Sequence, residues 1–146
     1  MPISETDNVV ATTKLEARYG FATLVWSTVI LWASLTPDPP GRQFFDIPFG
    51  DKMVHFAGYA LLCWLAAMSL RKAARHYRTG TLIAVPLTFS LVFGILNELI
   101  QTSIGGRSYE SSDIIANTLG AVSVQAVFMY MQLRSKRNEV RVDGGG

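Results

Sequence analysis

FATLVWSTVILWASL (residues 21–35) and LIAVPLTFSLVFGIL (residues 82–96) decide the fold of this 146-residue chain. Neither stretch carries a charged side chain, and neither shows the polar face that recurs at helical period in a soluble α-helical bundle. A membrane-spanning helix needs roughly 20 predominantly apolar residues to cross a hydrocarbon core of about 30 Å. The sequence therefore predicts an integral membrane protein.

Four apolar segments qualify as spans, and the charged residues, 16% of the chain, are concentrated between them. The first two segments are short and need an additional helical turn at their ends to cross the bilayer. Pro86, inside the third, is tolerated in a membrane helix when neighbouring groups satisfy the freed carbonyl. The predicted spans cover residues 19–35, 53–70, 81–100 and 113–133.

The predicted fold is all-α, a polytopic four-helix transmembrane bundle in one domain. Residues 1–18 form a cytoplasmic N-terminal segment, residues 19–133 the membrane domain, and residues 134–146 a basic and then Gly-rich cytoplasmic tail. TPDPPG, which follows the first apolar run, lacks the small-residue site of a cleaved signal peptide, so that run is interpreted as a retained span.

The orientation of the spans follows from the distribution of Lys and Arg, which favour cytoplasmic loops. The loop RKAARHYRTG and the tail after the fourth span carry four basic residues each, and Lys14 and Arg18 precede the first span. The other two loops hold only Arg42, Lys52 and Arg107. Both termini and the middle loop are therefore predicted to be cytoplasmic, and the first and third loops to face outward.

With this topology, the polar residues of three spans collect at the outer membrane face. Asp51 and His55 are four residues apart and share a helix face if the helix begins before Asp51. Glu98 lies one turn into an apolar span, where a carboxylate is costly without a partner, and Lys52 or Arg107 is the expected partner. The residues of this predicted outer site are Asp51, Lys52, His55, Glu98, Gln101, Arg107, Glu110, Asp113 and Asn117.

Each of these residues also has a purely structural interpretation. Asp113 and Asp51 would stabilise the positive ends of their helices. Asn117 and Gln101 would join helices by hydrogen bonds, and Arg107 would contact lipid headgroups. Gly120, on the same stripe as Asp113 and Asn117, would allow a neighbouring backbone to approach. The occurrence of all these residues at one face favours a functional site.

Two motifs within these segments resemble those of the VanZ-like family. DKMVHFAGYALL (residues 51–62) resembles the family pattern D-K-x-x-H-F-x-x-Y, and NELIQTSIGGRSYESSDIIANTLGA (residues 97–121) resembles E-x-x-Q, then G-R, then D-x-x-x-N-x-x-G. The resemblance covers roughly residues 26–131, and the sequence around the arginine, GGRSYESSD, varies widely in the family. The founding member is associated with low-level resistance to teicoplanin, whereas most members occur without that context.

The resemblance implies a multi-pass protein of the bacterial cytoplasmic membrane that acts in the cell envelope. By position, the resemblance makes Tyr59, Gly120 and all the predicted outer-site residues except Glu110 typical of the family. In the first functional hypothesis, an enzyme acts on a lipid-linked or cell-envelope substrate. Glu98, Asp113, His55 and Asp51 would be its catalytic acids and bases. Its substrate-binding residues would be Arg107, Lys52, Gln101, Asn117 and Tyr59.

A second hypothesis is a non-catalytic binder of an anionic envelope lipid or a lipoglycopeptide antibiotic, with Arg107 and Lys52 holding the headgroup. Transport is a third, less supported because the polar residues are concentrated at one face. No cofactor and no metal are predicted, since one histidine with scattered acids is weak evidence for zinc. The net charge of +2 gives no basis for nucleic-acid binding, so the expected partners are membrane lipids and a substrate or drug, with a homo-oligomer left open.

Overall fold

The structure is a computed structural model that describes residues 5–36, 47–70, 79–104 and 110–143. These residues form four α-helices and no β-strand. The helices are α1 (Glu5–Leu35), α2 (Gly50–Ser69), α3 (Thr79–Ile104) and α4 (Ser111–Asp143). The all-α prediction is confirmed for this part of the chain.

The helices extend beyond the predicted spans. α1 and α4 continue into the polar segments at the two ends of the chain, and α3 gains a turn that includes Gln101. The difference has a simple cause, because hydropathy marks where a helix becomes polar and not where its hydrogen bonding ends. α2 begins at Gly50, so Asp51 and His55 share a helical face as predicted.

α2 is the central helix, and it packs most extensively against α4. Contacts between α2 and α4 join residues 61 or 62 positions apart along their length, so these two helices run parallel. Trp26 of α1 donates a hydrogen bond to the Gly58 carbonyl, and Asn97 of α3 donates one to Ser34. The second contact shows that α1 and α3 end side by side, and the Glu110 amide just before α4 donates to Glu98 near the end of α3.

The distribution of side chains is the reverse of that in a soluble bundle. Glu98, Asn117 and Gln125 are buried, whereas Phe21 is 69% exposed and Leu119 55% exposed. Two segments, Thr79–Ser103 and Ser111–Ser135, are long and apolar enough to cross a membrane, with only 17% and 28% of their apolar windows buried. The core helix of a soluble protein would be mostly buried, so these two helices are compatible with a membrane location.

Candidate functional site

The site is built where α2 and α4 begin side by side. Phe49, which precedes α2, has a φ of 63°, a left-handed conformation that is rare for an aromatic residue. The Gly50 amide donates to the Ile47 carbonyl at 2.8 Å, so the chain turns sharply into α2. This turn brings Asp51 and Lys52 into the first turn of α2, next to the first turn of α4.

Lys52 is the centre of an ion-pair cluster that we call the outer cluster: Asp51, Lys52, Glu110 and Asp113. The Lys52 Nζ lies 2.8 Å from Asp51 Oδ2 and 2.6 Å from Glu110 Oε2, and it also pairs with Asp113 Oδ1. The three carboxylates have ligand atoms within 4.8 Å of one another, a spacing that suits a metal ion. Because Lys52 contacts all three, its ammonium group already supplies the positive charge that a metal would bring.

His55 and Asn117 extend the outer cluster one turn inward. His55 Nδ1 and Asn117 Oδ1 are 3.1 Å apart, and since the amide oxygen accepts, the ring carries its proton on Nδ1. This assignment follows the amide orientation chosen for Asn117. His55 Nε2 lies 3.5 Å from Asp113 Oδ2. The ring is therefore held with Nε2 facing the Asp113 carboxylate.

Glu98 does not pair with Lys52 as expected. Lys52 lies at the start of α2, facing α4, and its charge is taken by Asp51, Glu110 and Asp113. Glu98 is instead buried on α3, where its Oε1 accepts a hydrogen bond from the Glu110 amide at 3.1 Å. The alternative partner, Arg107, lies outside the described residues. Glu98 therefore has no cationic partner in the described part of the chain.

The remaining predicted residues occupy two places. Tyr59 is buried next to α3, near Gly94 and Asn117. Gln101 is also buried, but its amide donates to the Ser34 carbonyl of α1 at 3.2 Å, an interhelical hydrogen bond of the kind given as its structural interpretation. The structure thus brings Asp51, Lys52, His55, Asp113 and Asn117 into direct contact and places Glu98 and Tyr59 behind them.

Two contributions were missed by the sequence analysis. Asn97 is buried and donates to Ser34 Oγ at 2.8 Å, which closes the site on the α1 side. An asparagine inside an apolar span was a signal for Asn97, because polar side chains there need partners. Ser34 carries no such signal, since serine is common in membrane helices. Glu110 was placed at the outer face but given no role, and it proves to bridge Lys52 and Glu98.

Buried polar residues also continue toward the other end of the bundle, in contrast to the prediction that they stop at one face. Gln125 of α4 donates to Cys63 Sγ of α2 at 3.2 Å, and Ser90 of α3 is buried close to this pair. These side chains form hydrogen bonds within one helix or between two helices. They therefore stabilise helix packing, and none of these bonds reaches the outer cluster.

Comparison of the chain with protein-family models, with curated proteins and with solved structures gave no match. The VanZ-like resemblance accordingly rests on the two sequence motifs alone.

Proposed function

We propose that this chain is a VanZ-like protein of the bacterial cytoplasmic membrane, with four spans and both termini in the cytoplasm. The alternating direction of the four helices supports this topology, because it puts the basic tail at the opposite end of the bundle from the outer cluster. The exposed apolar surfaces of α1 and α2, for example at Phe21 and Met53, support membrane contact for these two helices as well.

We further propose that the outer cluster acts on a lipid-linked or cell-envelope substrate at the extracytoplasmic face. The observation that carries this proposal is the contrast between two carboxylates in one site. Asp113 is paired with Lys52 and faces His55, whereas the described contact of Glu98 is a backbone amide. Two carboxyl groups in one site with different contacts are the kind of arrangement that general acid–base chemistry uses.

The contacts of Lys52 weigh against the alternative, a binder that grips an anionic headgroup. Three carboxylates surround Lys52, so the described part of the outer cluster carries an excess of negative charge. A phosphate would have to displace one of these carboxylates before it reached Lys52. Recognition of an anionic headgroup would therefore depend on Arg107.

The substrate class is tested by mass spectrometry of lipids that co-purify with the protein in detergent. We expect a specific envelope lipid with the wild type that is lost in Arg107→Ala and retained in Arg134→Ala, a matched change at the exposed cytoplasmic end of α4. The identified lipid then serves to compare binding and turnover in Glu98→Gln. Lost turnover with retained binding supports the enzyme, and identical bulk lipids in all variants would contradict a headgroup site.

The topology is tested by cysteine labelling from outside intact cells. Cysteines introduced at Gln43 and Ser108 should react with an impermeant reagent, and those at Thr79 and Asn138 should not. The native Cys63 is fully buried, so it contributes little background. Labelling at Thr79 would overturn the orientation and the outer-face assignment together.

A further inference from the structure

A second group of polar atoms lies inward of the outer cluster, and these atoms have no hydrogen-bond partner. They are the Tyr59 hydroxyl, Asn97 Oδ1, Glu98 Oε2 and Asn117 Nδ2. The four residues that carry these atoms are only 2% or 3% exposed to solvent. Native proteins pair nearly all buried polar atoms, because an unsatisfied one costs about 1–3 kcal/mol. Four such atoms on packed helices are groups that a bound ligand would satisfy.

The four side chains come from α2, α3 and α4, and two of them, Tyr59 and Asn117, lie against Gly94 of α3. A Cβ at Gly94 would lie 3.1 Å from Cε1 of the Tyr59 ring and 3.4 Å from Asn117 Nδ2, so the glycine admits both side chains. Glu98 is one helical turn further along α3. The Tyr59 hydroxyl lies close to Asn97 and to the charge of Glu98. We call Tyr59, Asn97, Glu98 and Asn117 the inner pocket.

The chemistry of the inner pocket points to a cation. Three of its four free atoms are oxygens, of a phenol, an amide and a carboxylate, and oxygen ligands are preferred by hard cations. A carboxylate in an apolar interior is costly unless a positive charge accompanies it. Lys52 is committed to the outer cluster and does not pair with Glu98.

The single carboxylate also limits the charge of the ligand. Asp51, Glu110 and Asp113 are already paired with Lys52, which leaves Glu98 as the acid that faces the inner pocket. One negative charge is balanced by one positive charge. A divalent ion would leave an uncompensated charge among apolar helices, so a monovalent ion fits better.

We propose that Tyr59, Asn97 and Glu98 bind a small monovalent cation of the Na⁺ class inside the α2–α3–α4 bundle, with Asn117 bordering the site. This ion would join α2 to α3 beneath the outer cluster. The proposal does not depend on the identity of the envelope substrate, but it involves the same Glu98 carboxylate: Oε2 would bind the ion, while Oε1 accepts the hydrogen bond from the Glu110 amide.

The test is the thermal stability of the full chain in detergent micelles, in choline chloride that is replaced stepwise by NaCl at constant ionic strength. A ligand that binds only the folded state raises Tm by mass action. We expect a saturable rise on the order of 5 °C with Na⁺ that choline, whose charged nitrogen is enclosed by methyl groups and cannot be coordinated by oxygen atoms, does not produce. KCl and MgCl₂ series report the selectivity for size and charge.

Variants link the effect to the pocket. Glu98→Gln should abolish the Na⁺-dependent rise, while Glu110→Gln, the same chemical change in the outer cluster, should retain it. If Glu98→Gln does not fold, Tyr59→Phe keeps the buried ring and should raise the half-saturating Na⁺ concentration roughly tenfold, the equivalent of one lost ligand interaction. A wild-type Tm that is the same in Na⁺ and choline, a rise that survives Glu98→Gln, or a response to Mg²⁺ instead of Na⁺ would overturn the proposal.

Discussion

The ammonium group of Lys52 on α2 pairs with the carboxylate of Asp113 on α4, and this ion pair joins the starts of two parallel helices. The Asp113 side chain is 5% exposed and that of Lys52 is 24% exposed. The acid is therefore the buried partner, and it depends on Lys52 for compensation of its charge. Removing the cation leaves a buried anion next to two more carboxylates.

We expect Lys52→Met to lower the free energy of unfolding by about 2 kcal/mol. This value lies between the ~0–1 kcal/mol of an exposed ion pair and the ~3–5 kcal/mol lost when one partner of a buried pair is removed. Chemical unfolding in micelles measures it, with Lys14→Met on the exposed surface of α1 as the control. In the double variant Lys52→Met with Asp113→Asn, the loss should be smaller than the sum of the single losses. Additive losses would show that the pair does not couple.

The close approach of α2 and α4 leads to a second prediction, at Gly120. A Cβ at this position would overlap the Phe56 carbonyl oxygen and come within 3.1 Å of the Ala60 nitrogen, both of them backbone atoms of α2. Since backbone cannot move aside as a flexible side chain can, Gly120→Ala should separate the helices and cost about 1–3 kcal/mol. Gly20→Ala, where a Cβ meets nothing within 4 Å, should be neutral or slightly stabilising. Equal effects of the two changes would contradict the helix contact.

These two sites illustrate what the sequence predicts well. The proximity of Asp51, Lys52, His55, Asp113 and Asn117 follows from three apolar segments, helical spacing and the sidedness of the charges. The role of Gly120 follows from its position two turns after Asp113, on the stripe that faces a neighbour. Within each helix, these expectations depend on local spacing, which a sequence shows directly, and the sidedness of the charges brings the two helix starts to one end of the bundle.

The pairing of charges could not be predicted in the same way. Glu98 and Asp113 are both acids at the same end of the bundle, and the choice of Lys52 between them depends on the register of α2 against α4. The contacts made by α1 could not be predicted either, because tryptophan and serine are common in apolar helices and nothing in the sequence distinguishes Trp26 or Ser34. Hydropathy gives the environment of a side chain but not the atom it contacts across a helix interface.

The Trp26 contact supplies a third prediction, on the attachment of α1. Its indole nitrogen donates to the Gly58 carbonyl at 2.9 Å, and this contact ties α1 to the middle of α2. Trp26→Phe keeps an aromatic ring but removes the donor, and we expect a loss of about 1 kcal/mol in the free energy of unfolding. Trp32→Phe is a matched control, because Trp32 is 54% exposed on the same helix and should change stability little. A larger loss at Trp32 would contradict the packing of α1.

The outer cluster also makes a prediction about pH. The hydrogen bond from Lys52 holds the pKa of the Glu110 carboxyl below its ordinary value of 4.5. Burial raises the pKa of Asp51, but the hydrogen bonds and charge of Lys52 outweigh it, so that this pKa lies below 3.8. Burial lowers the pKa of Lys52, but the hydrogen bonds to Asp113, Asp51 and Glu110 have the larger effect. The pKa of Lys52 is therefore raised above its ordinary value of 10.5.

The signs of these shifts define the range in which the cluster stabilises the fold. Carboxyl groups with a lowered pKa stabilise fully above their ordinary values, and this contribution is lost as the pH falls through the lowered pKa. An amine with a raised pKa stabilises the fold fully when the pH is below its ordinary pKa. This contribution is lost as the pH rises through the raised pKa. The cluster should therefore contribute constantly between about pH 4.5 and about pH 10.5, and less outside that range.

The lower end of this pH range can be tested by measuring the free energy of unfolding of wild type and of Lys52→Met from about pH 7 to about pH 3. In the variant, the carboxylates repel one another without a cation, and protonation relieves that repulsion. Wild type loses its ion pairs over the same interval. The free energies of unfolding of the two proteins should therefore converge as the pH falls, because the wild type is destabilised while the variant loses its carboxylate repulsion. A difference that stays constant to the lowest pH would mean that Lys52 stabilises the bundle by packing of its aliphatic stem and not by its charge.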